Sequence, residues 1–142
     1  MIFTKTEIKV LELFVSRILD SFTIREVSRL IKKDLKIVHT SIKKLISKEF
    51  FIKDKNGLRL NYKNNIGDLA YIENMRKDYF FKKHDLIKIH ILNFLKKCSS
   101  KSFVLLVFGS YASGTQTKKS DIDLLVILPS LNERFERELS SS

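Results

Sequence analysis

The sequence predicts an α+β protein, in which a helical module with a hairpin precedes a short pair of strands. Three observations predict this class. Up to Lys48, apolar residues recur at helical spacing behind capping residues. Asn56–Gly57 then separates two runs of alternating apolar and polar residues, a strong hairpin signal. Between Ser102 and Pro129, two apolar runs rich in strand-forming residues flank a turn.

Composition limits the class of protein. The chain has 142 residues, 44% hydrophobic and 30% charged, which allows one ordinary domain or two very small ones. No apolar run is long enough to span a bilayer, and no signal-peptide pattern opens the chain, so a cytoplasmic protein is expected. Cys98 is the single cysteine and the three histidines are scattered, which argues against an internal disulfide and a zinc site.

The positive charge is uneven along the chain. The net charge is +11, of which residues 1–65 carry +8 (15 Lys and Arg against 7 Asp and Glu). Residues 66–142 carry +3, from 12 against 9. The first half is therefore the better candidate for a polyanion partner, although a lysine-rich solubilising surface explains the charge equally well.

The first 65 residues predict three helices and a hairpin. The first helix is expected over about residues 5–19, a short second one follows a break at Asp20–Phe22, and the hairpin lies within residues 49–63. Each helix is expected to begin at a capping residue or capping box: Thr4 with Glu7, Thr23 with Glu26, and Asp34.

This order of elements resembles the winged helix-turn-helix family over residues 4–64. The resemblance implies that the third helix enters the DNA major groove and that the hairpin contacts the backbone. Lysines there mostly meet phosphate, which leaves His39, Thr40 and Ser41 as candidates for base contacts. A winged helix used only for protein contacts or dimerisation is the alternative. The implied DNA-binding residues are Lys36, His39, Thr40, Ser41, Lys43, Lys44 and Lys48 on the exposed face of the helix, and Lys53, Lys55 and Arg59 on the wing.

Residues 66–98 are expected to form a connecting helical segment. They contain no proline, and Gly67 is the only glycine. The pattern predicts either one long helix or two with a bend near Lys82–Asp85, with Tyr79 and Leu86 among the residues on the buried face.

The two apolar runs of the last part predict strands that are buried on both faces and carry polar groups at one edge. The first run ends at Gly109–Ser110, and Asp121 and Asp123 head the second. Two residues apart on a strand, both acids point to one side. Gly109 has no Cβ and allows the backbone to approach a ligand closely. Ser110 lies at a helix N-terminus, where an anion is favoured. The two carboxylates, in contrast, bind cations. Together these residues predict Mg²⁺ bridging the carboxylates and a polyphosphate.

These residues resemble the nucleotidyltransferase superfamily related to DNA polymerase β, in particular its minimal nucleotidyltransferase branch. The matching residues are Gly109, Ser110, Gly114, Ser120, Asp121 and Asp123. The resemblance implies a nucleotide held by the glycines and serines, with ATP the expected nucleotide. It also implies that Asp121 and Asp123 are the catalytic and Mg²⁺-binding residues, and that a nucleotidyl group passes to an acceptor with release of pyrophosphate.

One element of the family pattern is not found. The family uses a third carboxylate on a later strand, whereas Glu133, Glu136 and Glu138 lie in a pattern typical of an amphipathic helix. Catalysis by this chain is therefore left open. The expected organisation is a winged helix-turn-helix domain at 1–65, a connecting segment at 66–98, and a nucleotidyltransferase-like domain at 99–142 that is incomplete at its C-terminal end.

Two strands alone make a marginal sheet with open edges, so the long helical segment and a second copy of the chain are expected to cover them. The expected homodimer has the sheet or the long helices at its interface. Two non-catalytic functions stay open beside the enzyme. One is a transcription regulator whose nucleotidyltransferase remnant only senses a nucleotide or a partner protein. The other, implied by the family resemblance, is an antitoxin-type module with a helical toxin as its partner.

Overall fold

The computed structural model describes residues 2–97, 103–117, 119–129 and 137. The chain divides into two compact units, Met1–His84 and Asp85–Ser142, and each is described by itself. The elements of the N-terminal unit are α1 (Lys5–Ser16), β1 (Ser21–Phe22), α2 (Ile24–Leu30), α3 (Leu35–Ser47), β2 (Phe51–Asp54), β3 (Gly57–Leu60) and α4 (Ile66–Lys83).

Both predicted capping boxes are confirmed. The Thr4 hydroxyl accepts the Glu7 N–H at 3.2 Å, and the Glu7 carboxylate accepts the Thr4 N–H at 2.8 Å. Thr23 and Glu26 repeat the arrangement at the start of α2. α1 ends at Ser16, three residues before the expected end, because the Arg17 N–H turns back to the Phe14 carbonyl.

The three strands form one antiparallel sheet in the order β1–β3–β2. The hairpin joins β2 to β3 with Asp54 opposite Gly57, as the Asn-Gly signal predicts. β1 was not predicted, because two residues are too few to show a periodicity. It pairs Phe22 with Leu58 and lies so close to the hairpin that a Cβ at Gly57 would collide with the Phe22 carbonyl.

The N-terminal unit has a continuous core between its helices and this sheet. Phe14 is central: its ring meets Phe22 edge-on at 5.2 Å between centroids and Phe51 at 4.4 Å. The fully buried side chains come from all four helices of this unit and from the sheet region: Val10, Leu11, Phe14, Val27, Val38, Ile42, Leu45, Phe50, Leu60 and Ile72.

Asparagines connect the end of the sheet to the end of α3. Asn65 adopts a left-handed conformation (φ 57°) before α4 and donates to the Lys48 carbonyl at 2.8 Å. Asn61 donates to the Glu49 carbonyl and Asn64 to the Glu49 carboxylate, at 3.1 and 3.0 Å. These bonds fix the start of α4, which packs on α1.

The helical segment after the sheet is two helices. α4 ends at Lys83, His84 leaves the helical conformation (φ −132°, ψ 67°), and α5 spans Asp85–Lys97. The expected inward face is wrong at this junction: Tyr79 is 71% and Leu86 is 74% exposed. Since the break at His84 resets the helix phase, α5 buries Ile87 and Ile91 instead.

The described part of the C-terminal unit contains α5, β4 (Val104–Phe108), α6 (Gly109–Ser113) and β5 (Asp123–Ile127). β4 and β5 pair antiparallel, and Phe94 of α5 contacts Phe103 just before β4. Burial of both strand faces was predicted and is wrong within one chain, since Leu106 is 43% and Leu125 is 48% exposed. These two residues lie opposite each other in the strand pair, so they share one exposed face. Within the described ranges, none of the helices combines the length and apolarity that crossing a membrane requires.

Candidate functional site

The structure brings Gly109 and Asp123 into contact. Asp123 opens β5 directly opposite Phe108, the last residue of β4, and Gly109 follows with φ +69°. A Cβ at Gly109 would collide with a carboxylate oxygen of Asp123 and lie 3.1 Å from its Cγ. Glycine is therefore required twice here, by the left-handed backbone and by the approach of the carboxylate.

A short turn of helix follows this contact. α6 starts at Gly109, places Ser110 in its first turn, and ends at Gly114 with φ +74°. The Ser110 carbonyl accepts the Ser113 hydroxyl at 3.1 Å and the Thr115 N–H at 3.0 Å, which holds the turn in place. A Cβ at Gly114 would meet open space, so the requirement for glycine there is conformational only.

The loop that leads to β5 is braced by Ser120. Its hydroxyl accepts the Thr117 N–H at 2.8 Å and lies 3.2 Å from the Thr117 hydroxyl. Asp121 is exposed and lies in the coil before β5. The prediction that both acids share one strand is wrong, because strand pairing begins only at Asp123.

The described residues offer two carboxylates at this place and no larger metal-ligand group. Among residues 2–97, 103–117, 119–129 and 137, no three His, Cys, Asp or Glu side chains cluster in a way that could hold a metal. Mg²⁺ commonly takes one or two protein carboxylates and completes its shell with substrate phosphates and water. Asp121 and Asp123 fit that chemistry. Glu133, Glu136 and Glu138 lie outside the described residues.

In the N-terminal unit, the residues of α3 that were predicted to bind DNA are exposed, with one exception. Ser41 is only 7% exposed, so its expected place on the outer face of α3 is wrong. It lies on the inward stripe with Val38, Ile42 and Leu45. The residues of α3 and its C-cap that are exposed as expected are Lys36, His39, Thr40, Lys43, Lys44 and Lys48.

The hairpin places its cations differently. Lys53 and Lys55 are exposed near its tip, whereas Arg59 is half-buried on the central strand β3. Asp54 connects the hairpin to β1, since the Ser21 hydroxyl donates to its carboxylate at 2.7 Å. This bond, and next the Lys55 N–H, lower the pKa of the Asp54 carboxyl below its ordinary value. The sequence did not predict the Ser21–Asp54 hydrogen bond, because Ser21 is brought to Asp54 by the unpredicted strand β1.

Comparison with known proteins identifies one segment. Residues 88–141 match the family model of the nucleotidyltransferase domain. No curated protein and no solved structure matched the chain significantly. The matched segment starts within α5 and includes β4, α6 and β5, and with them the Gly109–Asp123 contact. This match supports the nucleotidyltransferase part of the resemblance: the chain contains a nucleotidyltransferase-like domain. The roles expected for the glycines, serines and aspartates stay predictions.

Proposed function

We propose that the C-terminal unit binds a nucleoside triphosphate together with Mg²⁺ at the turn between β4 and β5, and transfers its nucleotidyl group to an acceptor. The contact of Asp123 with the backbone at Gly109 carries this proposal, because it sets a cation-binding carboxylate beside a turn suited to phosphate. The match of this segment to the nucleotidyltransferase domain supports it.

Each residue has a role in this proposal. The backbone at Gly109 and the Ser110 hydroxyl would hold phosphate oxygens, while Gly114 sets the turn and Ser120 braces the loop. Asp121 and Asp123 would hold Mg²⁺, which supplies positive charge that neutralises the polyphosphate. The acceptor oxygen attacks the α-phosphorus, the bond to the bridging oxygen breaks, and pyrophosphate leaves. Positioning and charge neutralisation account for most of such catalysis.

Binding and transfer are tested separately. Titration calorimetry with ATP and Mg²⁺ should show binding by the wild type, and Asp123→Asn should weaken it by about tenfold or more. Asp20→Asn, an exposed aspartate of the other unit, is the matched control. Incubation with ATP labelled at the α-phosphate should label an acceptor, and Asp121→Ala with Asp123→Ala should abolish the labelling. Wild-type binding without labelling would leave the nucleotide-sensing alternative and remove the enzyme.

A second function is favoured for the N-terminal unit. We propose that it is a winged helix-turn-helix domain that binds duplex DNA through α3 and the β2–β3 hairpin. The support is the order of its elements with the three-stranded sheet, and the exposed cations on both elements. Lysine–phosphate contacts would make up most of the affinity, and His39 and Thr40 are the exposed candidates for base contacts.

Salt dependence tests this second function. Fluorescence anisotropy with a labelled duplex should show an affinity that falls steeply as salt rises, because lysine–phosphate contacts release counterions. No binding at low salt would remove the DNA-binding function. Co-purification with the intact chain tests the toxin-type partner, and Asp123→Asn tests whether its capture needs the nucleotide site.

A further inference from the structure

Phe108 is an exposed aromatic residue at the edge of the candidate site. It is the last residue of β4, directly before Gly109, and it is 49% exposed. A large apolar ring that stays half in water forgoes much of the free energy that its burial would give. The residues that carry the nucleotidyltransferase resemblance begin at Gly109, so Phe108 has no role in the site as described above.

Strand pairing places Phe108 directly opposite Asp123. Side chains directly opposite each other in an antiparallel pair project from the same face of the sheet, with their Cβ atoms about 4.5–5.5 Å apart. The Asp123 carboxylate also reaches the backbone at Gly109, since a Cβ there would collide with one of its oxygens. The aromatic ring and the proposed Mg²⁺ ligand are therefore neighbours on one face.

Within the described strand pair, the rest of this face carries no charge that could hold phosphate. The register places two further pairs on it, all four residues being 43 to 52% exposed: Val104 with Ile127, and Leu106 with Leu125. Polyphosphate would lose hydration on such a surface without gaining a partner. The base of a nucleotide is uncharged and planar, and it can stack on an aromatic ring. The chemistry of this face therefore suits the base, and the phosphates belong at the turn.

We infer that Phe108 is the stacking platform for the base of the bound nucleotide. The inference rests on the proposed binding of Mg²⁺ and a nucleoside triphosphate at the Gly109–Asp123 contact. With the α-phosphate at the metal on Asp123, only the ribose separates the metal site from the base, and the Phe108 ring lies directly opposite Asp123. Stacking uses the face of the base and not its hydrogen-bonding edge. We therefore expect purines to bind more tightly than pyrimidines, with little discrimination between adenine and guanine.

The test compares ATP with inorganic tripolyphosphate, which has a chain of three phosphates and no base. In titration calorimetry of the intact chain with Mg²⁺, Phe108→Ala should weaken ATP binding by about five- to hundredfold and leave tripolyphosphate binding unchanged. Phe108→Trp should retain ATP binding, since an indole also offers a planar face. The wild type should bind ATP and GTP more tightly than CTP and UTP, and Phe108→Ala should reduce that difference.

Val104→Ala is the matched control. Val104 lies on the same face at the opposite end of β4, and it is 52% exposed. The substitution removes apolar surface from this face, including surface that a second copy of the chain would cover, but it leaves the ring in place. Both ligands should bind this variant as they bind the wild type. Circular dichroism checks that each variant is folded.

The outcomes separate this inference from the proposed function. If the wild type binds ATP no more tightly than tripolyphosphate, or if Phe108→Ala binds ATP as the wild type does, the stacking role is wrong and the metal–phosphate site stands. An equal loss of both ligands in Phe108→Ala would show that the ring shapes the turn, and the stacking role would again be wrong. Failure of the wild type to bind either ligand with Mg²⁺ would overturn the proposed function together with this inference.

Discussion

The two units bury their apolar residues to very different extents. In the N-terminal unit, ten side chains from helices and sheet are essentially inaccessible, and Phe14 lies among them. In the C-terminal unit, the paired strands present Val104, Leu106 and Leu125 at 43 to 52% exposure. One unit completes its own core, whereas the other holds a site on paired strands that keep one face exposed within the described chain. The difference suggests that the N-terminal unit folds on its own and the C-terminal unit needs a further layer.

The largest expected effect tests this contrast directly. Phe14→Ala should lower the free energy of unfolding by about 3–5 kcal/mol, because it empties a fully enclosed aromatic site. In the dissociated chain, Leu106→Ala should lower it by less than about 1 kcal/mol, because the side chain is then half in water. Urea denaturation at a protein concentration too low for self-association measures both. Equal losses under that condition would show that the chain itself covers this face of the sheet.

The contrast sharpens at two glycines of the C-terminal unit. Gly109→Ala and Gly114→Ala both place a side chain on a left-handed backbone, at φ +69° and +74°. Each substitution should therefore lower the free energy of unfolding by about 1 kcal/mol or more. Only Gly109→Ala also displaces the Asp123 carboxylate, so only it should weaken Mg²⁺-dependent ATP binding strongly. Calorimetry on the folded variants measures this, and equal losses of ATP binding would contradict the role of the contact.

The exposed strands predict self-association, as the apolar pattern of the sequence also does. Analytical ultracentrifugation should show a dimer, and Leu106→Lys should shift it toward monomer because a charge would enter the apolar face. Leu19→Lys, on an exposed leucine of the other unit, is the matched control. A monomer at high concentration would show that the exposed face is tolerated in water.

The smallest effect concerns pH and the hairpin. Because the pKa of Asp54 is lowered in the folded chain, its hydrogen bond stabilises the sheet above the ordinary value of 3.8. That stability is lost as pH falls through the lowered value. Asp54→Asn and Ser21→Ala should both reduce the fall in the free energy of unfolding as the pH becomes acidic. If either variant lost stability with falling pH as the wild type does, the Ser21–Asp54 hydrogen bond would not be formed.

Local chemistry explains what the sequence could predict. The capping boxes at Thr4 and Thr23 and the Asn56–Gly57 turn are encoded within four residues, and all are present. The meeting of Gly109 and Asp123 could also be predicted, because two strands joined by a short helix bring those ends to one edge.

Long-range pairing explains what could not be predicted. β1 is defined only by its partner β3, and the exposure of the β4–β5 faces depends on layers that no local pattern reveals. The inward position of Ser41 is a different case. Val38, Ser41, Ile42 and Leu45 follow the spacing of a buried helix face, so the signal was present and the polarity of serine hid it.

The most direct test of the central claim is ATP titration of the wild type and Asp123→Asn, each with and without Mg²⁺. The claim is that Asp123 and the turn at Gly109 form one site for a metal-chelated polyphosphate. It predicts wild-type binding that requires Mg²⁺, and an affinity at least about tenfold weaker in Asp123→Asn. ATP binding of equal strength in both proteins, or binding indifferent to Mg²⁺, would contradict it.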